Sequence, residues 1–330
     1  MNNTKRLKKL IISLTIIIIT ITGAIFVISE KQNIDDYISL LNYKPSSEIA
    51  SIVIQDGMTP YTKKVFYVNH PQIDSKSVFA KECPNNSETI VVLGCYHPYQ
   101  KGIFLLNVTN KQLYGLVQVT AAYETLHAIY QRLNTYQKNK LDKELLNYEK
   151  NDLKNQVIIA QINNFKKTEP GHVLNEMTSL FGTEVPSLPK GLSAFYHQYF
   201  NNRKVLFNFY SDYQNSFTSR ENEIKSYDNQ LTSLKNTINS DENQLNSLKS
   251  GINNLQNTLN NYRTQNQVYS YNSLVPQYNN LVSSYNNLAH SVLTLINQYN
   301  QIIIKRNSVV LTEQQLTQAI TTIPKPIKSD

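Results

Sequence analysis

The sequence predicts a mainly α-helical fold with a small β-hairpin or sheet, and three observations lead to this prediction. An uncharged, isoleucine-rich stretch occupies residues 10–29 of the 330-residue chain. Two short apolar runs follow, at residues 89–95 and 103–108, with a turn-rich segment between them. Beyond residue 224, apolar residues recur at alternating spacings of three and four, which is typical of a coiled coil. We therefore expect a single N-terminal transmembrane helix, an α+β domain and a C-terminal antiparallel coiled-coil hairpin.

Residues 10–29 predict a membrane anchor, because about 20 apolar residues span a hydrocarbon core as a helix. Four basic residues lie in the segment 1–9 and acidic residues follow the stretch, so the N-terminus is expected in the cytoplasm and the bulk of the chain outside it. The alternative is a secretory signal cleaved near Ser29, but the apolar core is longer than the roughly 7–15 residues of such signals. We predict a single-pass protein of the cell membrane.

The charge distribution argues against a nucleic-acid partner. The net charge is +8, part of it in the segment 1–9, and the rest is dispersed without a basic stripe among aromatic residues. The expected partners are the membrane, through the single-pass anchor, and either an envelope protein or a second copy of the chain, through the coiled coil.

Two cysteines, Cys83 and Cys95, are the only ones in the chain. Outside the cytoplasm such a pair tends to oxidise, and we predict a disulfide between them. The alternative, two metal thiolates, is less favoured because no Cys-x-x-Cys or nearby Cys/His pair completes such a site.

The segment after the anchor divides into a spacer at residues 30–44 and a domain at residues 45–212. Residues 45–48, Pro-Ser-Ser-Glu, predict the start of a helix in which a serine supplies the cap and the proline is tolerated in the first turn. Ile49, Ile52 and Val53 form its apolar face, and Gly57 ends it. Residues 64–68 predict a strand, and the turn at residues 97–102 predicts a β-hairpin.

From Gly115 onward the apolar spacing becomes helical. The first of these helices carries its apolar residues at spacings of three and four, namely Val119, Ala122, Tyr123, Leu126, Tyr130 and Leu133. Further helices are expected at residues 137–150, 152–166, 172–181 and 190–200, with Gly182 ending the third of them.

Residues 213–320 predict the coiled coil, followed by a tail at residues 321–330. Two apolar stripes, at residues 224–262 and 278–320, flank a break that contains Pro276. We favour an antiparallel hairpin, in which Asp241 and Arg306 could face each other; the alternative is a parallel oligomer of one long broken rod.

One helix carries an incomplete zinc-peptidase motif. In a His-Glu-x-x-His helix both histidines reach one Zn²⁺, a third ligand comes from elsewhere, and the glutamate activates the bound water. Here Tyr123 stands at the first histidine position, whereas Glu124 and His127 match the base and the second ligand. A phenol titrates near 10 and offers no ready anion at neutral pH. The alternative interpretation is that Glu124 and His127 lie on an ordinary amphipathic helix, where they are solvated or hydrogen-bonded and not catalytic.

A bacterial family of membrane-anchored proteins carries Val-Thr-Ala-Ala-His-Glu-x-Leu-His-Ala-x-Tyr, and residues 119–130 resemble this motif. The resemblance extends in order through Val92-Leu-Gly-Cys-Tyr-His97, Lys167-Thr-Glu-Pro-Gly171, Asn175-Glu-Met-Thr-Ser-Leu-Phe-Gly-Thr-Glu-Val185 and Tyr196-His-Gln-Tyr-Phe200. It covers roughly residues 45–212 and implies a gluzincin-type metallopeptidase domain followed by a coiled coil.

The resemblance assigns further site residues. Glu176 matches an acidic residue of the family and is the candidate third ligand, whereas Thr178 stands where the family often has a histidine. His172 and Glu184 are weaker candidates. With two departures at site positions, we expect zinc to bind weakly or not at all, and we expect a binding or scaffolding role. The alternatives are an active zinc metallopeptidase acting on envelope proteins and a purely structural envelope rod.

Overall fold

The computed structural model describes residues 30–84, 91–99 and 102–322. These form two compact units, one with the residues up to Tyr213 and residues 319–322, the other with Gln214–Gln318. Most described residues are helical and a three-stranded sheet is present, so the predicted mainly α fold with a small sheet is confirmed. The predicted transmembrane helix lies outside the described residues. Within them, no helix has both the length and the hydropathy needed to cross a bilayer.

The elements of the first unit are numbered in chain order. Its strands are β1 (Gln72–Asp74), β2 (Gly94–His97) and β3 (Gly102–Leu106). Its helices are α1 (residues 30–40), α2 (Ser47–Gln55), α3 (Pro60–Val68), α4 (Lys76–Glu82), α5 (Leu116–Arg132), α6 (Thr135–Asn151), α7 (Gln156–Thr168), α8 (Val173–Glu184), α9 (Lys190–His197) and the start of α10 (Lys204–Thr264).

Helix α2 forms as its sequence predicts. The Ser46 hydroxyl accepts a hydrogen bond from the backbone N–H of Ile49, which satisfies one of the free donors at the helix start. Ile49, Ile52 and Val53 are buried on one face.

The strand predicted at residues 64–68 is wrong, because these residues end helix α3. Thr59 caps this helix by accepting from the N–H of Thr62, and Pro60 occupies its first turn, where a missing N–H costs nothing. The buried residues Val65, Phe66 and Val68 suit either periodicity, so the cap decides the structure.

The sheet has the order β1-β3-β2. The predicted hairpin is confirmed: β2 and β3 pair antiparallel, with Cys95 opposite Phe104. Strand β1 pairs parallel to β3, with Ile73 opposite Leu105, and is too short to show a pattern in the sequence. Every residue of β3 is buried, so the sheet belongs to the core.

The predicted disulfide is confirmed. Cys83, at the end of α4, is bonded to Cys95 in β2, and their Cα atoms are 5.9 Å apart. Closing so short a loop contributes about 3 kcal/mol in the chain-entropy model.

Gly182 does not end helix α8, contrary to the prediction, since the helix continues to Glu184. A Cβ atom on Gly182 would lie 2.4 Å from Leu126 Cδ1 and 2.8 Å from Tyr196 Cε1. The glycine therefore permits the close approach of α8 to α5 and α9.

The second unit pairs α10 with α11 (Val268–Ile320), joined by a turn at residues 265–267. Arg306 Nε lies 2.6 Å from Asp228 Oδ1, and Gly251 lies against Leu281, so the two helices run antiparallel. The predicted pairing of Arg306 with Asp241 is wrong. Pro276 lies inside α11 and not in the turn. The turn therefore comes earlier in the chain than predicted, and Arg306 pairs with an earlier residue of α10.

Two glycine substitutions in helices should have opposite effects on stability. Gly182→Ala should lower the free energy of unfolding by about 1–3 kcal/mol, because the methyl group overpacks the contact with Leu126. Gly251→Ala should raise it by about 0.5–1 kcal/mol through helix propensity, since its Cβ would lie an unstrained 3.4 Å from Leu281 Cδ1. Urea unfolding followed by circular dichroism measures both; a stabilising Gly182→Ala would contradict the packing.

Candidate functional site

Helix α5 carries the predicted motif and is buried on most of its surface. It starts after Gly115, whose φ of 91° suits a residue without a side chain. Helices α3 and α8 and strands β2 and β3 pack around it. Glu124 and His127 are consequently only 6% exposed, which is unusual for residues with polar side chains.

Three of the predicted site residues meet at the contact between α5 and α8. The Tyr123 hydroxyl donates to Glu176 Oε2 at 2.8 Å, and the other carboxylate oxygen, Oε1, lies 3.6 Å from His127 Nε2. The rings of Tyr123 and His127, one helical turn apart, meet edge to face with centroids 5.1 Å apart. Glu176 therefore lies between the phenol and the imidazole.

The backbone of the two helices is held together beside this cluster. The Ser179 hydroxyl donates to the carbonyl oxygen of Tyr123 at 2.8 Å. One turn further, Gly182 contacts Leu126. The position of the Tyr123 ring is thus fixed from both helices.

Glu124 lies against strand β2, and the charge of Glu176 also acts on it. A Cβ on Gly94 of β2 would lie 2.9 Å from Glu124 Cγ, and the Glu124 carboxylate accepts a hydrogen bond from the backbone N–H of Tyr96. Burial raises the pKa of Glu124 to about 7, against the opposing effect of His127. A carboxyl with such a pKa can exchange a proton near neutral pH.

Tyr123 keeps its proton in this environment. Burial raises the pKa of its phenol well above the ordinary value of 10, and the nearby charge of Glu176 raises it further. At neutral pH the phenol is therefore a hydrogen-bond donor to Glu176 and not an anionic ligand.

Of the remaining candidates, Glu184 lies close enough to Tyr123 for its charge to raise the pKa of the phenol. His172 is exposed at the start of α8. The Thr178 hydroxyl donates to the carbonyl of Leu174 in its own helix. Glu184 accepts hydrogen bonds from Gln161 and Tyr210, and burial raises its pKa to about 7.

The donor set does not fit a catalytic zinc ion. Such a site needs three protein ligands and an open position. His127 and Glu176 offer two, and the protonated phenol of Tyr123 already occupies one oxygen of Glu176. His127 Nδ1 is buried without a hydrogen-bond partner, whereas a metal-bound histidine normally donates from its second nitrogen. Across the ranges 30–84, 91–99 and 102–322, no three His, Cys, Asp or Glu side chains are grouped to hold a metal.

Sequence reasoning missed the groups that position the site. Gly94, Tyr96 and Ser179 contact Glu124 or Tyr123. In the sequence, each of them was noted only as part of a segment that resembles the bacterial family. The isolated glycine in the strand pattern at residue 94 was an available signal, because such glycines mark close backbone approach. No sequence pattern marks Ser179.

No family model, curated protein or solved structure matches this chain.

Removing the Tyr123 hydroxyl should destabilise the first unit. Tyr123→Phe leaves the partly buried carboxylate of Glu176 without its donor, and we expect the free energy of unfolding to fall by about 1–3 kcal/mol. Tyr136→Phe, at an exposed tyrosine of α6, is the control and should have no measurable effect. Equal urea midpoints for Tyr123→Phe and wild type would contradict the hydrogen bond.

The raised pKa of Glu124 predicts a pH-dependent effect on stability. Because the folded-state pKa of about 7 lies above the ordinary value of 4.5, this carboxyl's contribution is fully present below about pH 4.5 and is lost as pH rises to 7. Glu124→Gln should therefore raise stability relative to wild type at pH 8 more than at pH 5. Urea midpoints at both values measure this, and a variant that gains more at pH 5 would disprove it.

Proposed function

We propose that this protein is a single-pass, membrane-anchored extracytoplasmic protein whose peptidase-like domain acts by binding rather than by metal catalysis. The observation that carries the proposal is the hydrogen bond from Tyr123 to Glu176. This bond occupies a candidate ligand with a neutral donor, at the position where the resembling family has an imidazole.

The proposed location has support from two parts of the chain. Residues 10–29 have the length and composition of a membrane span, with basic residues on the side expected to face the cytoplasm. The Cys83–Cys95 disulfide supports an oxidising compartment for the domain, because disulfides are rare in the cytosol.

The coiled coil is the proposed binding element, with an envelope protein or a second copy as partner. Leu293, Ile304 and Leu311 are each more than half exposed. Their spacings of 11 and 7 residues place them on one face of α11. The helix has three charged residues among 53, so a partner would meet little charge to desolvate.

Metal content tests the proposal. The purified full chain should hold clearly less than one zinc per molecule, measured by elemental analysis after equilibration with zinc. Tyr123→His should raise zinc affinity by about tenfold or more, because it adds an imidazole beside His127 and Glu176.

Adding His127→Ala to the Tyr123→His variant is the matched control and should remove the gain. One chelator-removable zinc per wild-type chain, with casein cleavage abolished in Glu124→Gln, would overturn the proposal. That result would favour the alternative function, an active zinc metallopeptidase acting on envelope proteins.

A further inference from the structure

Helix α1 presents an exposed apolar stripe. Ile34 is 39% exposed, Tyr37 67% and Ile38 60%, and Leu41, in the turn that follows the helix, is 57% exposed. Spacings of three and four residues place all four side chains on one side. Within the described part of the first unit, nothing covers this stripe.

The opposite side of α1 is bonded to the domain. Asp36 is 2% exposed and forms a bidentate pair with Arg132 at the end of α5, with both N–O distances 2.9 Å. Lys64 of α3 adds an ion pair to Asp36 at 3.0 Å, and the Ser39 hydroxyl donates to the carbonyl of Val68. Burial raises the pKa of Asp36, but these bonds outweigh it and the net pKa is lowered. Helix α1 therefore cannot turn its apolar side inward without breaking a buried ion pair.

The position of α1 along the chain indicates what covers the stripe. The uncharged apolar segment ends at residue 29, and Ile34 follows five residues later. Five residues reach at most about 17 Å. The headgroup region of a leaflet is itself about 5–8 Å thick. If residues 10–29 span the bilayer, the stripe emerges next to its surface.

We propose that α1 lies in the lipid–water interface of the outer leaflet, with Ile34, Tyr37, Ile38 and Leu41 inserted among the lipids; this rests on the proposed membrane anchor. Apolar faces of interfacial helices insert about 5–10 Å, and tyrosine is enriched at that depth. Since Asp36 bonds Arg132, α1 couples the end of α5 to the membrane. The domain then has a fixed orientation toward the lipid and is not tethered loosely.

Fluorescence of a single introduced tryptophan tests this docking, because the chain contains none. Tyr37→Trp is introduced into the full chain, which is reconstituted into vesicles of phosphatidylcholine and phosphatidylglycerol with or without doxyl-labelled lipid. The matched control is Tyr114→Trp. Tyr114 is 61% exposed and precedes α5 at the end opposite Arg132, about 25 Å away along the helix.

We expect the emission of the Tyr37→Trp variant to be blue-shifted and quenched by doxyl lipid at least threefold more than the emission of the Tyr114→Trp variant. Flotation of the same samples distinguishes failure of the proposed membrane anchor from failure of the proposed docking of α1. A chain that does not float with vesicles overturns both the anchor and the docking. A chain that floats while the two variants are quenched equally overturns the docking alone. A blue shift of the Tyr37→Trp variant without lipid quenching also overturns it, because that result would indicate a protein partner on the stripe.

Discussion

The close packing of α5 against α8 is the constraint on which the rest of the first unit depends. Gly182 lets the helices approach, Ser179 bonds the Tyr123 carbonyl, and Tyr123 bonds Glu176. Helix α5 also packs against the sheet, where Glu124 lies beside Gly94 of β2. The same helix ends at Arg132, which holds α1. Site, sheet and the segment after residues 10–29 are thus arranged around one buried helix.

This packing determines what the Tyr123 side chain does at its position. A divalent ion would be held by the Glu176 carboxylate and a neutral His127 imidazole, and it would require deprotonated ligands. The phenol instead connects the two helices through one neutral donor, and its burial keeps the proton in place. The two helices are connected here without an ion. The phenol of Tyr123 occupies the position at which an ion would need a further ligand.

The sequence predicted those features that depend on local signals. A serine cap at residues 45–48, the hairpin around residues 97–102 and the disulfide followed from side-chain chemistry and spacing. The α3 helix was missed because its apolar residues suit two periodicities, and only the cap and proline at its start distinguish them. The register of α10 and α11 depended on where the turn lies, and Pro276 was a misleading signal because it lies inside α11, at the ninth residue of the helix, and not in the turn. At the site, the sequence named Tyr123, His127 and Glu176 but not their distances, which tertiary packing sets.

A double-mutant cycle between Tyr123 and Glu176 tests the central claim most directly. The free energies of unfolding of wild type, Tyr123→Phe, Glu176→Ala and the double variant give the coupling energy between the two side chains. If the phenol holds Glu176 as described, the coupling should be about 1 kcal/mol or more, as for buried hydrogen bonds to a charged group. A coupling energy near zero would contradict the account, because Tyr123 would then merely fill space beside an independent carboxylate.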